Sequence, residues 1–504
     1  MKVTTTNPAT GAQRTLDVDE TARAAVLAGA ERAAQVAPDF ARRPLAWRAE
    51  MLRTMAEELE SDAPNLVALA GDETALGQAR LEGELRRTSF QLRFFADVVG
   101  DGAFLAATID HPTDSPMGAL PDLRRMRVPV GAVAVFGSSN FPFAFSVPGG
   151  DTASALAAGC PVVIKAHPAH PATSRATFDA LVRGARRCEA PEGTLALVYG
   201  FDAGLALVEA PAISAVGFTG SRHAGRALWE QANARSVPIP FYGELGAANP
   251  LVVTSAATVE RAAEIGAGFA GSMSLGVGQF CTKPGLLFVP RGDGGDALVA
   301  SLVESLGRLG PSTMLSSSIA HNFRIISTTI GAVTGVRSLV HDDLGDAART
   351  SAQLYEVDAT RFAEPDAWAL REECFGPFAL VVRYESFEQL RRALEASEPA
   401  LTFSLFATDG DPDGAELLAL GSQRAGRVIV NGFPTGVAVS WSMQHGGPWP
   451  STTSPSSTSV GAAAIERWLR PVSFQAVPDA LLPPALRERN PLAIPRRVDG
   501  VLEP

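Results

Sequence analysis

From residue 128 to residue 245 the chain repeats one pattern, a run of five to seven mostly β-branched or apolar residues followed by a longer alanine-rich stretch with helical spacing. The runs are AVAVFG (132 to 137), PVVIKA (161 to 166), LALVYG (195 to 200), AVGFTG (215 to 220) and IPFYGEL (239 to 245). Runs that are apolar at consecutive positions need cover on both faces, and intervening helices provide it. The pattern therefore predicts βαβ units and a parallel sheet. Ligands of such sheets bind beyond the carboxyl ends of the strands. The polar residues after the runs are the first candidates for a site: Ser138, Ser139 and Asn140, then Lys165 and His167, then Gly220 and Ser221, then Glu244.

A second alternating region extends from 247 to 445, with LVVTS, LLFVP, ALVVRY and FSLFAT as strands and a strand-like GRVIVNG near its end. Residues 20 to 100 carry apolar side chains every three or four positions, which predicts at least three amphipathic helices. Arg86, Arg87 and Arg93 on the last of them read as a solvated or ion-paired face, from which one could reach an anionic substrate. Residues 105 to 127, with Pro112, Pro116 and Pro121, read as a connecting excursion. The Gly-, Pro- and Ser-rich stretch 442 to 461 reads as a loop, and the proline-rich tail from 471 as a strap over a neighbouring surface.

With 504 residues the chain exceeds one compact core, so two or three structural regions are expected. A net charge of −11 opposes binding to nucleic acid and to anionic membrane surfaces. The first residues lack the apolar core of a secretory signal, and no run of 18 or more apolar residues follows, which leads to a cytoplasmic location. Cys160, Cys188, Cys281 and Cys374 are scattered with no CxxC pair, so neither a structural metal nor a disulfide framework is expected.

Cys281 stands between a glycine-punctuated stretch and a strand-like run, where a fold presents a side chain to a cleft. Phe241 to Pro250 (FYGELGAANP), followed by Gly278-Gln279-Phe280-Cys281-Thr282, resembles the paired active-site signatures of the aldehyde dehydrogenase superfamily. The blocks SNFPF (139 to 143), VIKAHP (163 to 168), GFTGS (217 to 221) and EECFGP (372 to 377) match in the same order, and the resemblance spans about residues 1 to 470. The stretches ARLEGELRRTSFQLRFFA, KAHPAHPATS and SMQHGGPWP are similar to the NADP-preferring branch that contains α-ketoglutaric semialdehyde (2,5-dioxopentanoate) dehydrogenases and a bacterial fatty aldehyde dehydrogenase.

The resemblance implies an α/β fold with a Rossmann-type dinucleotide-binding domain (1–104 and 128–246), a catalytic domain (247–445) and an oligomerisation hairpin and tail (105–127 and 465–504) that would build a homodimer or homotetramer. It implies oxidation of an aldehyde to an acid through a thioester on Cys281. Asn140 would stabilise the oxyanion, and Glu244 would activate the hydrolytic water. The presence of Glu244 argues for hydrolysis over transfer to coenzyme A. His445 resembles a histidine near the thiol in the fatty aldehyde enzyme, placed to activate it. Lys165, His167, Gly220, Ser221, Gly225, Glu373 and Phe375 would contact the cofactor. NAD-preferring relatives often carry a glutamate three residues after the lysine; this chain has Pro168 there, which favours NADP while leaving NAD possible. Two substrates stay open: a dicarbonyl acid held by Arg86, Arg87, Arg93 or Arg175, or a longer aliphatic aldehyde in a funnel of Phe141, Phe143, Phe145 and Phe280. A catalytically silent scaffold of the same fold is the alternative from another class.

Overall fold

The computed structural model of the chain describes residues 1–341 and 348–503. Residues 342–347 of the expected catalytic region and the last residue of the expected tail lie outside the described residues.

All five apolar runs form strands: Val133–Phe136, Val162–Lys165, Leu195–Val198, Ala215–Thr219 and Phe241–Glu244. They pair in parallel, in the spatial order Phe241–Glu244, Ala215–Thr219, Val133–Phe136, Val162–Lys165, Leu195–Val198. Alternate side chains enter opposite cores. Val133, Val135, Val162 and Ile164 pack with the helices Leu45–Ser61 and Gln78–Asp101, while Ala134, Phe136, Val163 and Val216 pack with Arg23–Arg42 and Phe201–Glu209. Full burial of each larger side chain contributes roughly 1.5–3 kcal/mol, which is why continuous apolar runs are tolerated here and required. Strand order reverses direction between Val133–Phe136 and Ala215–Thr219, opening a crevice at their carboxyl ends.

A seven-stranded sheet follows in the order Arg337–Val340, Gln353–Asp358, Phe378–Tyr384, Leu286–Pro290, Pro250–Val253, Ala400–Phe406, Ala425–Val430, parallel except at its first edge. The strand Gln353–Asp358 escapes the sequence pattern because it carries Glu356 and Asp358. Those charges are satisfied by Arg337 at 2.8 Å and by Arg291 at 2.8 Å.

The excursion after residue 105 is built of short strands. It forms Thr108–Asp110, a projecting hairpin of Thr113–Ser115 with Gly118–Leu120, and Leu123–Pro129. Leu123–Pro129 pairs antiparallel with Leu469–Gln475, and the chain end adds Arg496–Val498 and Val501–Glu503 to the same five-stranded sheet. Within the chain the tail is fastened by Arg124, which donates to the Leu486 carbonyl at 2.7 Å and to Glu488 at 3.1 Å. No helix among the described residues is long and apolar enough to cross a membrane.

Candidate active site

Cys281 sits in a turn between the helix Ser255–Ser274 and the strand Leu286–Pro290. The chain reaches it through Gly276, Val277 and Gly278, all with positive φ. At Gly278 an added Cβ would lie 2.2 Å from the Gly376 carbonyl oxygen, so only glycine lets the turn close on the 376 stretch. Asn249 then fixes the cysteine backbone. Its amide donates to the carbonyls of Cys281 at 2.7 Å and Lys283 at 3.0 Å, while its oxygen accepts from Thr402 N–H at 3.1 Å. Asn249 lies in the block that carried the family resemblance, but its role as the buried tie between three strand ends was not legible there.

Three side chains from distant parts of the chain meet at the thiol. His445 Nε2 is 3.4 Å from Cys281 Sγ and 2.8 Å from Glu244 Oε1. The second Glu244 oxygen accepts from the Ser459 hydroxyl. His445 is itself positioned by Thr458, whose hydroxyl accepts from its N–H at 2.8 Å, and by Ser459 N–H on its carbonyl at 2.9 Å. The stretch 442 to 461 is thus an ordered strap, joined to the end of the first sheet by the bridge between Glu244 and Thr452. Ser459 had no signal in the sequence. Its contact with Glu244 depends on the path of a loop that has no periodicity.

Burial pushes the Cys281 thiol well above its ordinary value, and the neighbouring carboxylates of Glu244 and Glu373 push it further. Burial also opposes ionisation of Glu244, but the His445 ring and the Ser459 hydroxyl outweigh it and hold that carboxyl below its usual range. The site therefore rests as a protonated thiol beside an ionised carboxylate, with an imidazole touching both. The three donor atoms lie within 4.8 Å of one another.

Asn140 lies beyond the carboxyl end of Val133–Phe136 and donates from Nδ2 to the Gln279 carbonyl at 2.9 Å. A primary amide has a second N–H, left for a ligand. The Cys281 N–H donates to no acceptor among the described residues, and the Asn140 amide reaches the same turn two residues before the sulfur.

A cavity of about 360 Å³ opens on the thiol, lined by Arg80, Arg87, Phe141, Phe145, Phe280 and Cys281 among others. Phe143, expected on this funnel, is instead wholly buried in the core below. Of the arginines expected to reach a substrate, only Arg87 lines the cavity; Arg93 is held by Glu60 at 2.7 Å, Arg175 by Asp179 at 2.8 Å, and Arg86 is exposed. Arg80 joins it from about two helical turns earlier, at the start of the stretch that carried the narrower resemblance but not singled out there.

A cysteine, a carboxylate and an asparagine at the junction of two parallel sheets invite comparison with known proteins. The model of the aldehyde dehydrogenase family matches residues 1–472. The chain belongs to the aldehyde dehydrogenase family. It is 47% identical over 493 residues to alpha-ketoglutaric semialdehyde dehydrogenase 2 of Azospirillum brasilense, covering 95% of this chain and 93% of that one. It is 39% identical over 459 residues to the alpha-ketoglutaric semialdehyde dehydrogenase of Acinetobacter baylyi, covering 90% and 87%. Among solved structures, methylmalonate-semialdehyde dehydrogenase from Oceanimonas doudoroffii superposes with a TM-score of 0.78 at 22% identity, over 95% of each chain, which shows the shared fold. The architecture is that of this family, a Rossmann-like sheet beside an α/β catalytic sheet, and the chain is an oxidoreductase of the kind that uses NAD or NADP.

The residues at the crevice fit such a dinucleotide. Lys165, at the end of Val162–Lys165, is pushed down to about 8 by burial and has no carboxylate within ion-pair distance among the described residues, an environment suited to an anionic or hydroxyl-rich ligand. His167 stacks on His170 with centroids 5.5 Å apart, accepts from Ala169 N–H at Nδ1, and is kept neutral by burial, then by His170 and Lys165. It can therefore offer a hydrogen bond but not a charge. Gly220 precedes Ser221, which caps the helix Arg222–Asn233 by accepting from Ala224 N–H at 3.3 Å. Gly225 faces inward: an added Cβ would fall 2.2 Å from Leu245 Cδ2, so its bareness serves helix-on-strand packing.

Glu373 is pushed up to about 7 by burial, against the opposing pull of Lys283 and Arg222. Its carboxylate lies over Gly246, where a Cβ would come within 1.8 Å of Oε2. Phe375 is half-buried two residues on. Buried Lys283, also unforeseen, ties this stretch down by donating to the carbonyls of Cys374 at 3.1 Å and Phe378 at 2.8 Å.

Proposed function

We propose that this aldehyde dehydrogenase oxidises α-ketoglutaric semialdehyde to 2-oxoglutarate, with NADP preferred over NAD. The observation that carries the chemistry is one imidazole nitrogen, His445 Nε2, lying 3.4 Å from the sulfur of Cys281 and 2.8 Å from the carboxylate of Glu244. The substrate follows from the names of the two relatives at 47% and 39% identity.

In this reading the raised thiol of Cys281 loses its proton to the Glu244–His445 pair as the aldehyde arrives, and the thiolate forms a C–S bond while the carbonyl pair moves to oxygen. Asn140 Nδ2–H and the Cys281 N–H hold that oxyanion; one such donor is worth roughly 3 kcal/mol in the transition state. A nicotinamide held in the crevice would supply the acceptor for the hydride that leaves the same carbon. The oxyanion collapses to a thioester on Cys281. Once the proton taken from the thiol has passed to solvent, Glu244 takes a proton from water, whose oxygen attacks the acyl carbon, and the C–S bond breaks as that proton returns to the sulfur, giving the acid and the thiol.

Support for NADP comes from Pro168, exposed where a carboxylate would repel a 2′-phosphate, and from the unpaired ammonium of Lys165. Residues 1–104 with 128–246 would hold the dinucleotide, with Lys165, His167, Ser221, Glu373 and Phe375 as contacts, and 247–445 would carry the thiol. The enzyme would act in the cytoplasm as a homodimer or homotetramer formed through 105–127 and 465–504, a reading supported by Met117, 92% exposed at the tip of the projecting hairpin.

The test is incubation with α-ketoglutaric semialdehyde and NADP while NADPH absorbance is followed, with Cys281→Ser as control. Turnover by the variant comparable to the parent would refute the mechanism, and a neutral aldehyde of equal length oxidised more efficiently would refute the substrate.

A further inference from the structure

The cavity in front of Cys281 has a wall that aldehyde oxidation alone does not explain. Arg80 and Arg87 project from the helix Gln78–Asp101 into it, beside three phenylalanines. Arg80 lies over Phe141 at 4.5 Å and over Phe280 at 4.7 Å, and Arg87 over Phe145 at 5.0 Å. Stacking on ring faces fixes each guanidinium plane and leaves its N–H edge for other partners.

Those edges are poorly used within the chain. Arg80 donates to the Asn140 carbonyl at 3.2 Å and to Glu84 at 3.4 Å; Arg87 donates to Gln91 at 3.5 Å and to the Val437 carbonyl at 3.3 Å. All four are longer than charge-assisted bonds, which run near 2.7–2.9 Å. No carboxylate among the described residues lies within ion-pair distance of Arg87. Glu84 has to serve two guanidiniums, and its other oxygen is already taken by the N–H groups of Phe143 at 2.8 Å and Ala144 at 3.0 Å. Two positive charges and at most one negative charge leave the wall cationic, in a half-buried place where a cation without a partner is costly.

We propose that Arg80 and Arg87 form the subsite for the anionic end of the substrate, and that selectivity for carboxylated over neutral aldehydes originates there. The proposal rests on the reading of this cavity as the aldehyde site and adds the chemical class it selects, a short aldehyde with a carboxylate at its far end. The phenylalanines then act as supports for the guanidiniums as well as an apolar lining for the carbon chain. A substrate carboxylate replaces long internal bonds with short charged ones, so binding and positioning of the aldehyde carbon are coupled.

The experiment compares kcat/KM for α-ketoglutaric semialdehyde, glutaric semialdehyde and pentanal in the parent enzyme and in Arg80→Met, Arg87→Met and the double variant. The ratio of carboxylated to neutral substrate is expected to fall at least 10-fold in each single variant and at least 100-fold in the double, mainly through KM, with Arg87→Lys recovering part of the loss. A ratio kept within threefold, whatever the absolute activity, overturns the proposal, because a merely structural defect lowers all substrates together. On the unmodified enzyme glutarate should compete with the aldehyde and glutaramide should not; equal inhibition by both overturns it as well. If the parent turns over glutaric semialdehyde well but α-ketoglutaric semialdehyde poorly, and the ratio for glutaric semialdehyde still collapses in the variants, the clamp stands and the assigned substrate falls.

Discussion

Replacing Ser459 with alanine removes one hydroxyl from Glu244 and leaves Cys281, His445 and the cavity in place. The carboxylate is only 4% exposed and the serine 7%, so water does not readily substitute for the lost donor. A hydrogen bond to a charged group contributes about 1.5–3 kcal/mol, and 1.36 kcal/mol corresponds to one pKa unit. The Glu244 carboxyl, held below its usual range by His445 and then Ser459 against burial, is expected to rise in Ser459→Ala. Deacylation needs the ionised form, so the acid limb of the kcat profile should move to higher pH. Stability follows the same linkage. A depressed carboxyl stabilises the fold above its unfolded value near 4.5, and that contribution disappears as pH falls through the folded value. Ser459→Ala should thus be destabilised by about 1.5–3 kcal/mol at neutral pH in denaturant titrations, and the gap should narrow below pH 4.5. An acid limb that stays put, or a stability gap independent of pH, would refute the assignment of Ser459 to Glu244.

Other outcomes follow from the same geometry. His445→Asn should lower kcat/KM by about 10–100-fold at neutral pH, less at alkaline pH where the thiol ionises unaided; a loss uniform with pH would exclude a role in proton removal. Since Lys165 is charged below about 8 and neutral above it, KM for NADP should rise as pH passes 8, while KM for NAD changes much less; parallel curves would remove Lys165 from 2′-phosphate recognition. Gly246→Ala should displace the Glu373 carboxylate, which a Cβ would approach to 1.8 Å, and weaken cofactor binding measured by fluorescence titration; binding equal to the parent would remove Glu373 from the cofactor contacts. Glu73→Ala should cost about 3 kcal/mol in a thermal or denaturant melt, because that buried carboxylate accepts from Ala172 N–H at 2.9 Å and from Thr173 N–H at 2.8 Å, capping a helix whose own N-cap side chain makes no such bond.

The legible part of the fold was the part governed by local patterning. Val133–Phe136 and its four partners are apolar at consecutive positions, and the only environment that stabilises such runs is a covered parallel sheet. Gln353–Asp358 was hidden because arginines from other strands neutralise its acids, a long-range compensation invisible in six residues. The strands within the excursion after 105 were not legible from pattern, because its prolines flank short edge strands, and a hairpin there was implied by the family resemblance alone. At the site, Cys281, Glu244 and Asn140 stood out through their blocks. Arg87 shared a helix face with Arg86 and Arg93 from which any one could reach a substrate, and Arg80 was not singled out; Arg87 differs from Arg93 and Arg175 in having no carboxylate within ion-pair distance among the described residues, which only coordinates can reveal. Phe143 shared a block with Phe141 but turns into the core, because neighbouring residues of a tight turn point to opposite sides.

The strap that carries His445 and Ser459 is threaded after the last strand of the second sheet, Ala425–Val430, is complete. A nascent chain released up to that point already holds the makings of both sheets, yet its sulfur has no imidazole beside it and its acid no hydroxyl. The reactive centre is armed only once the chain has passed residue 459, and a polypeptide that ends before residue 445 carries a cysteine without its imidazole.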